Sequence, residues 1–199
     1  MGLYSQARDA LILYTSGYLD TLNAERKDSI LGGATFLLRL KGLIVNFLEE
    51  LRCLLISKEK SDYSNRIICL INSKNNYDSL KFLDSLDSVF LKITPKGNDI
   101  DGAKTVYLKN KVYYSFLFIL RLPFFIISKR KRNLINLYFQ AYGVEKSFAG
   151  FLKKNTPKAI IFANDHTPEM RSYMHACAKQ EIPTIYIQHG AVSRYFPPL

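Results

Sequence analysis

The chain has 199 residues, 48% of them hydrophobic, and its 28 Lys and Arg outnumber its 17 Asp and Glu to give a formal net charge of +11. This length and composition predict one large or two small globular domains and exclude a disordered or fibrous chain. The positive charge favours an anionic partner: nucleic acid, an acidic membrane face or a phosphate-bearing substrate. Cys53, Cys69 and Cys177 are far apart, which predicts buried free thiols, a reducing cytoplasm and neither a disulfide nor a metal site.

Residues 1–60 are predicted to form a helical N-terminal segment. Gly32 and Gly33 indicate a break, and the segment that follows repeats apolar residues at spacings of three and four. That repeat predicts a helix packed on its own domain, with an apolar stripe of Leu37, Leu40, Ile44, Phe47, Leu51 and Leu54. Its charged residues are too many for a membrane-spanning segment.

Residues 61–199 are predicted to form a Rossmann-like domain, a parallel sheet flanked by helices in the α/β class. Short apolar runs at 66–72, 88–93 and 105–108 have the length and β-branching of buried strands. A short helix at 77–86 and polar or glycine-containing loops separate these runs.

An aromatic helix over 112–128 adjoins the most basic run of the chain. It is too short to span a bilayer and contains Arg121 and Pro123, so we expect it to lie on a membrane face. Because the basic run adjoins an apolar segment, the pattern favours a membrane surface over nucleic acid. The residues predicted to contact the membrane are Phe124, Phe125, Lys129, Arg130, Lys131 and Arg132.

The last fifty residues have the pattern of a strand–helix–strand unit. A strand at 158–163 precedes Asn164-Asp165-His166, and Thr167 and Pro168 are typical of a helix N-cap and first helical residue. A second strand, 184–187, runs into Gln188-His189-Gly190. Such crossovers make the two strands parallel, so both polar clusters are predicted at the same sheet edge.

Ligands of open α/β sheets bind outside the carboxyl ends of the strands. We therefore expect Asp165 and His189 to do acid–base chemistry there, and Asn164, His166, Gln188 and Gly190 to bind substrate. Simpler roles remain open, because Asp165 could cap the following helix, His166 could face solvent and Gln188 and Gly190 could only shape a turn. His175 near Cys177 lacks a third ligand, so no metal is expected.

The segments "IIFANDHTPEMRSYMHACAKQ" and "IPTIYIQHGAVSRYFPPL" together resemble the end of the N-terminal domain of bacterial GT-B glycosyltransferases of surface polysaccharide assembly, such as capsule and lipopolysaccharide. The resemblance covers residues 155–199 and is only architectural over 64–110. It implies an acceptor-binding domain that faces a second, nucleotide-sugar domain across a cleft.

The resemblance also implies roles for individual groups. Asp165 would take the proton of the acceptor hydroxyl, and His189 would donate to a phosphate or to the acceptor. No cofactor is implied beyond the nucleotide-sugar substrate, and the acceptor would be a glycan or a lipid-linked sugar at the inner membrane of a cytoplasmic, peripherally bound enzyme. Because two such domains need about twice this length, we expect the 199 residues to lack most of the donor site and to be inactive alone.

Two alternatives remain. The chain could be a non-catalytic module that binds an anionic membrane surface or nucleic acid. A small phosphotransferase or hydrolase is the weakest alternative, because neither a Gly-rich G-x-x-x-x-G-K loop nor a G-x-S-x-G elbow is present.

Overall fold

The computed structural model describes residues 2–56, 62–93, 100–163 and 167–187. Its strands are β1 (Ile67–Ile71), β2 (Ser88–Lys92), β3 (Lys104–Thr105), β4 (Ala159–Phe162) and β5 (Thr184–Tyr186). Its N-terminal helices are α1 (Leu3–Ala10), α2 (Ile12–Thr15), α3 (Ala24–Leu31) and α4 (Phe36–Ile56). The later helices are α5 (Lys74–Leu80), α6 (Lys109–Leu120), α7 (Leu122–Ile127), α8 (Lys129–Asn133), α9 (Ile135–Ala141), α10 (Val144–Lys154) and α11 (Pro168–Lys179).

The five described strands form one sheet in the order β3-β2-β1-β4-β5, and every neighbouring pair is parallel. This confirms the predicted α/β fold with a Rossmann-like parallel sheet flanked by helices. The third strand is shorter than the predicted 105–108, because only Lys104 and Thr105 pair with β2. The Val106 N–H still donates to the Lys92 carbonyl at 2.9 Å, and the Val106 and Leu108 side chains pack against the core on one face of the sheet.

Alternate residues along the strands fill two different cores. Ile68 and Leu70 of β1 face the core beneath α10 and α11, whereas Cys69 and Ile71 face the core beneath α5. All four are at most 1% exposed. Because both faces of the sheet are covered at β1, this strand reads as a continuous apolar run rather than as an alternating one. The edge strand β5 differs, because Ile185 and Tyr186 are exposed.

The N-terminal helices do not have a core of their own. Ala7, Leu11 and Leu43 share one hydrophobic core with Phe118 and Tyr142, which belong to the second predicted region. Helix α1 also packs on α11, and α4 packs on α6 and α9. Residues 1–60 are helical where described, but they are built into the same body as α6 to α9.

Helix α4 buries a different stripe from the predicted one. Its buried residues are Arg39, Leu43 and Cys53, whereas Leu37 and Ile44 are exposed. The helix is apolar on two sides, so a repeat of three and four residues fits either side. The predicted break before it is confirmed: Gly32 ends α3 in the left-handed conformation, with φ +79°.

Within the described ranges, no one helix has the length and apolarity to span a bilayer. The α3–α4 pair, bent by 43°, meets that criterion by length and composition alone.

Candidate functional site

Strands β4 and β5 end side by side. Phe162 is in register with Tyr186, and the backbone N–H of Ile187 donates to the carbonyl of Phe162 at 2.9 Å. The predicted parallel pairing of these strands is therefore confirmed. In the sequence, Asn164-Asp165-His166 follows Ala163 directly, and Gln188-His189-Gly190 follows Ile187 directly.

The six residues of the predicted site lie outside the described residues. They are Asn164, Asp165, His166, Gln188, His189 and Gly190. Their mutual placement and their proposed roles therefore stay predictions. The structure describes only the two strands, β4 and β5, that precede them.

The strand order marks where such a sheet binds its ligand. From β1 the chain goes to β2 on one side, and β4 later pairs with the other side of β1. This reversal is a topological switch point, and in open α/β sheets the binding crevice lies there, at the carboxyl ends of the strands. The Asn-Asp-His cluster follows β4, one of the two strands at that point.

Thr167 and Pro168 begin α11 as predicted. The Thr167 hydroxyl accepts a hydrogen bond from the Met170 N–H at 3.3 Å, and Pro168 occupies the first helical position. The cap supplies an oxygen for an N–H that has no partner within the helix.

A cavity of about 120 Å³ lies at the same carboxyl edge of the sheet. It is bounded by Ile93, which follows β2, by residues 106–108, which follow β3, and by Glu169 in the first turn of α11. Helices α4 and α6 also line the cavity, with Glu50 and Lys111. An apolar cavity with a few convergent polar groups is the usual form of a small-molecule site.

An ion pair between α4 and α6 forms one wall of the cavity. The Lys111 Nζ lies 3.4 Å from a Glu50 carboxylate oxygen, and both side chains are 12% exposed. Lys111 also donates to the Ser115 hydroxyl at 2.9 Å and to the Phe139 carbonyl at 3.0 Å, while Ser115 donates to Glu50. Burial lowers the pKa of Lys111, and the Glu50 carboxylate opposes that shift.

A second pair of groups lies on the α11 side of the cavity. The Tyr173 hydroxyl donates to the Ile93 carbonyl at 3.1 Å, and Glu169 lies one turn earlier on the same helix. Burial raises the pKa of Tyr173 well above its ordinary value, and the Glu169 and Glu50 carboxylates add to the shift. The hydrogen bond to Ile93 fixes the Tyr173 phenol, and the Glu50 and Glu169 carboxylates are hydrogen-bond acceptors in the lining, as are the amides of Asn46 and Gln140.

A larger depression lies at the carboxyl ends of β1 and β2. It has a volume of about 730 Å³ and is lined by Ser73, Lys74, Lys81, Lys92 and Asp101 among others. Lys92, the last residue of β2, is 3% exposed. Both depressions thus lie at the sheet edge that was predicted to bind ligand.

The predicted membrane contacts divide into exposed and buried residues. Phe124 is 50% exposed, and Lys129 and Arg130 are exposed. Lys131 and Arg132 are half-buried. Phe125 is 1% exposed and its ring lies 4.4 Å from that of Phe118, so it is a core residue, which corrects the expectation that it contacts a membrane.

Sequence reasoning missed the polar wall of the cavity. Glu50 counted only among the charged residues of the helical segment before residue 60, and neither Lys111 nor Glu169 was predicted to line a site. The signal for Glu50 was its position in α4, because Leu43 and Phe47 lie seven and three residues before it on the same side of the helix. An acid in a buried stripe requires a partner, and Lys111 supplies it.

No protein-family model, curated protein or solved structure matches the chain. The resemblance to glycosyltransferases thus rests on the residues between 155 and 199. In the ranges that the structure describes, no group of three or more His, Cys, Asp or Glu is placed to hold a metal ion.

Proposed function

We propose that this chain is the acceptor-binding half of a glycosyltransferase that moves a sugar from a nucleotide-sugar to a surface-polysaccharide or lipid-linked acceptor. The observation that carries the proposal is the in-register, parallel ending of β4 and β5 directly before two polar clusters. One cluster supplies Asp165 and the other His189, which are the acid–base groups that sugar transfer requires.

In the proposed reaction the Asp165 carboxylate takes the proton of an acceptor hydroxyl. The hydroxyl oxygen then forms a bond to the anomeric carbon of the donor sugar as the bond from that carbon to the phosphate oxygen breaks. The nucleotide leaves with the electron pair of the broken bond. His189 donates a hydrogen bond to the phosphate or to the acceptor, which stabilises charge that develops during transfer.

The cavity at the sheet edge suits one ring of such an acceptor. Sugar hydroxyls donate to carboxylates, and Glu50 and Glu169 both line the cavity. Apolar walls from Ile93, Val106 and Val144 suit the less polar face of a sugar ring. We therefore assign the cavity to acceptor binding.

The alternative is a non-catalytic module that binds an anion, and its supporting observation is the net charge of +11. Such a module needs no convergence of carboxylates. In the cavity Glu50 and Glu169 are matched by Lys109 and Lys111, and this mixed set of donors and acceptors favours a ligand with several hydroxyls over one that carries phosphate alone.

The test is a titration of the ¹⁵N-labelled 199-residue chain with short acceptor glycans, with nucleotide-sugars and with a random-sequence oligonucleotide. Acceptor glycans are expected to shift the amide signals of Ala163, Ile187 and Ile93. Asp165→Asn and His189→Gln are expected to weaken glycan binding by about tenfold each, because each removes a hydrogen bond to a charged or polar group. Asp84→Asn, at an exposed acid outside the lining of either depression, is the matched control.

Two outcomes would overturn the proposal. One is that no glycan shifts the three amides, and the other is that both site variants bind glycan as tightly as the native chain. Salt-sensitive shifts of the same amides by the oligonucleotide alone would favour the anion-binding module.

A further inference from the structure

Helix α4 exposes an apolar stripe on the side opposite its buried one. Leu37, Ile44, Leu48 and Leu55 recur at intervals of seven, four and seven residues, which places them on one side of a helix. Leu37 is 74% exposed and Leu55 83%. The outer side of a helix in a globular protein is normally polar, so this stripe is a surface that needs an occupant.

Helices α6 and α7 carry exposed apolar side chains of the same kind. Helix α6 packs beside α4 through the Glu50–Ser115 hydrogen bond and presents Phe116 and Leu120, which are 51% and 62% exposed. Ile127 at the end of α7 is 85% exposed. We call the α4 stripe of Leu37, Ile44, Leu48 and Leu55 the exposed apolar face. Further exposed apolar side chains on the neighbouring helices are Tyr113, Phe116, Leu120, Phe124 and Ile127.

Basic residues lie within and around this face. Lys41 and Arg52 are exposed and fall between the leucines of the α4 stripe. Eight Lys and Arg and no acidic residue lie between Asp101 and Glu145, the part of the chain that contains α6, α7 and α8.

Two of these cations lie over aromatic rings. The Lys131 Nζ is 3.5 Å from the centroid of the Phe124 ring, and the Arg132 guanidinium is 5.7 Å from that of Phe36. The second contact joins α8 to the start of α4. Apolar groups bordered by long basic side chains match the arrangement of an anionic lipid surface, with acyl chains below and phosphates above.

We propose that the exposed apolar face docks on a bilayer that contains anionic lipid, with α4 lying in the plane of the interface. The leucines enter the acyl region, and Lys41, Arg52 and the α8 cations contact lipid phosphates. This goes beyond the proposed sugar transfer, because it assigns the main contact to α4 and does not depend on what the sheet edge binds. A second copy of the chain fits less well, since a two-fold interface would bring Lys41 and Arg52 of both copies together.

The test is co-sedimentation of the 199-residue chain with vesicles. One set contains phosphatidylglycerol and phosphatidylethanolamine, and the other phosphatidylcholine alone. The chain is expected to bind the anionic set, with an affinity that falls as salt rises. Ile44→Gln/Leu48→Gln is expected to lower partitioning at least about tenfold, because two side chains no longer enter the apolar layer.

Further variants test whether the basic residues of the face contribute to binding and whether binding is specific to the face. Lys41→Gln and Arg52→Gln are each expected to weaken binding to the anionic vesicles about fivefold. Leu86→Gln and Lys153→Gln change an exposed leucine and an exposed lysine outside the face and are expected to leave binding unchanged. All of these positions are exposed, so circular dichroism should show native helix content in every variant.

The proposal is overturned if the chain ignores both sets of vesicles, or if it binds them equally and the Ile44→Gln/Leu48→Gln variant binds as the native chain does. Sedimentation velocity, which measures the oligomeric state, could also overturn the proposal. A dimer that this double variant abolishes, in a chain that does not bind vesicles, would assign the face to a second copy.

Discussion

The Nζ of Lys111 lies 3.4 Å from a Glu50 carboxylate oxygen, and this ion pair joins α4 to α6 in the wall of the cavity. The ion pair is a direct contact between the N-terminal helical segment and the rest of the chain. Glu50 comes from the N-terminal helical segment and Lys111 from the helix that follows β3. The pair therefore holds the helical segment against the carboxyl edge of the sheet.

Breaking this pair from one side is expected to be costly. Lys111→Met leaves the Glu50 carboxylate in a site where both side chains are 12% exposed, and we expect a loss of about 2–4 kcal/mol in the free energy of unfolding. The measurement is urea denaturation followed by circular dichroism. Glu50→Gln/Lys111→Met should recover part of the loss, because neither charge then remains unpaired.

The matched control is the exposed pair between Lys27 and Asp20, 2.9 Å apart. Lys27→Met is expected to cost less than about 1 kcal/mol, because surface pairs are weakened by water and salt. If Lys27→Met and Lys111→Met lower the free energy of unfolding equally, the Glu50–Lys111 pair stabilises the fold no more than an exposed ion pair does.

Gly143, between α9 and α10, is a second point on which packing depends. It has φ +76°, and a Cβ there would lie 2.2 Å from the Cβ of Tyr114. Gly143→Ala is therefore expected to cost about 2–4 kcal/mol, from the left-handed backbone and from displacement of α6. Gly17 also has a positive φ, +98°, but a Cβ added there would meet no atom of the described residues within 4 Å beyond its own chain neighbours.

Gly17→Ala should consequently cost only about 1 kcal/mol, the backbone contribution alone. Thermal unfolding of the two variants separates the steric cost from the conformational one. If Gly143→Ala and Gly17→Ala destabilise equally, the close approach of α6 to the α9–α10 turn contributes nothing.

Cys177, which is fully buried, should make stability fall at alkaline pH. Burial raises the pKa of its thiol from 9.0 to about 12. Between these values the unfolded thiol has lost its proton and the folded one has not. The unfolded state then binds fewer protons, so the free energy of unfolding decreases as pH rises through this window.

Relative to pH 8, this contribution is a loss of about 2 kcal/mol at pH 10.5. The measurement is the difference in the free energy of unfolding between the native chain and Cys177→Ala at both pH values, in which other titrating groups cancel. The difference should shrink by that amount at the higher pH. A constant difference would mean that the thiol ionises alike in both states.

Glu169 tests the assignment of the cavity to acceptor binding. Glu169→Gln keeps the size of the side chain but removes the charge, and we expect acceptor glycans to bind about tenfold more weakly. Isothermal titration calorimetry with the glycan that shifts the Ile93 amide measures this. Glu25→Gln, in the first turn of α3, is the control for an acid at a helix N-terminus elsewhere. Unchanged affinity in Glu169→Gln would remove the cavity from the proposed site.

The strands and the parallel sheet could be predicted from the sequence because their signals are local and continuous. The runs that became β1 and β4 are uninterrupted and apolar, and the Thr167-Pro168 start of α11 is specified by two adjacent residues. Strand β3 was predicted too long because Val106 and Leu108 were interpreted as strand residues from their apolar side chains. These side chains instead pack against the core beneath α10 and α11, beyond the end of the strand.

The orientation of α4 could not be predicted in the same way. Leu37 and Leu43 are equally apolar, yet one is 74% exposed and the other fully buried. Only the tertiary partners decide between them, because Leu43 meets a core built by residues 118–142, far along the chain. The pairing of Glu50 with Lys111 has the same origin, since about sixty residues separate the two charges along the chain.

The most direct measurement is a structure of the chain with an acceptor oligosaccharide bound. The account predicts a sugar at the ends of β4 and β5, with one hydroxyl within about 3.2 Å of the Asp165 carboxylate and His189 in contact with the same ligand. An oligosaccharide bound elsewhere, with Asp165 and His189 on opposite sides of the sheet edge, would contradict it.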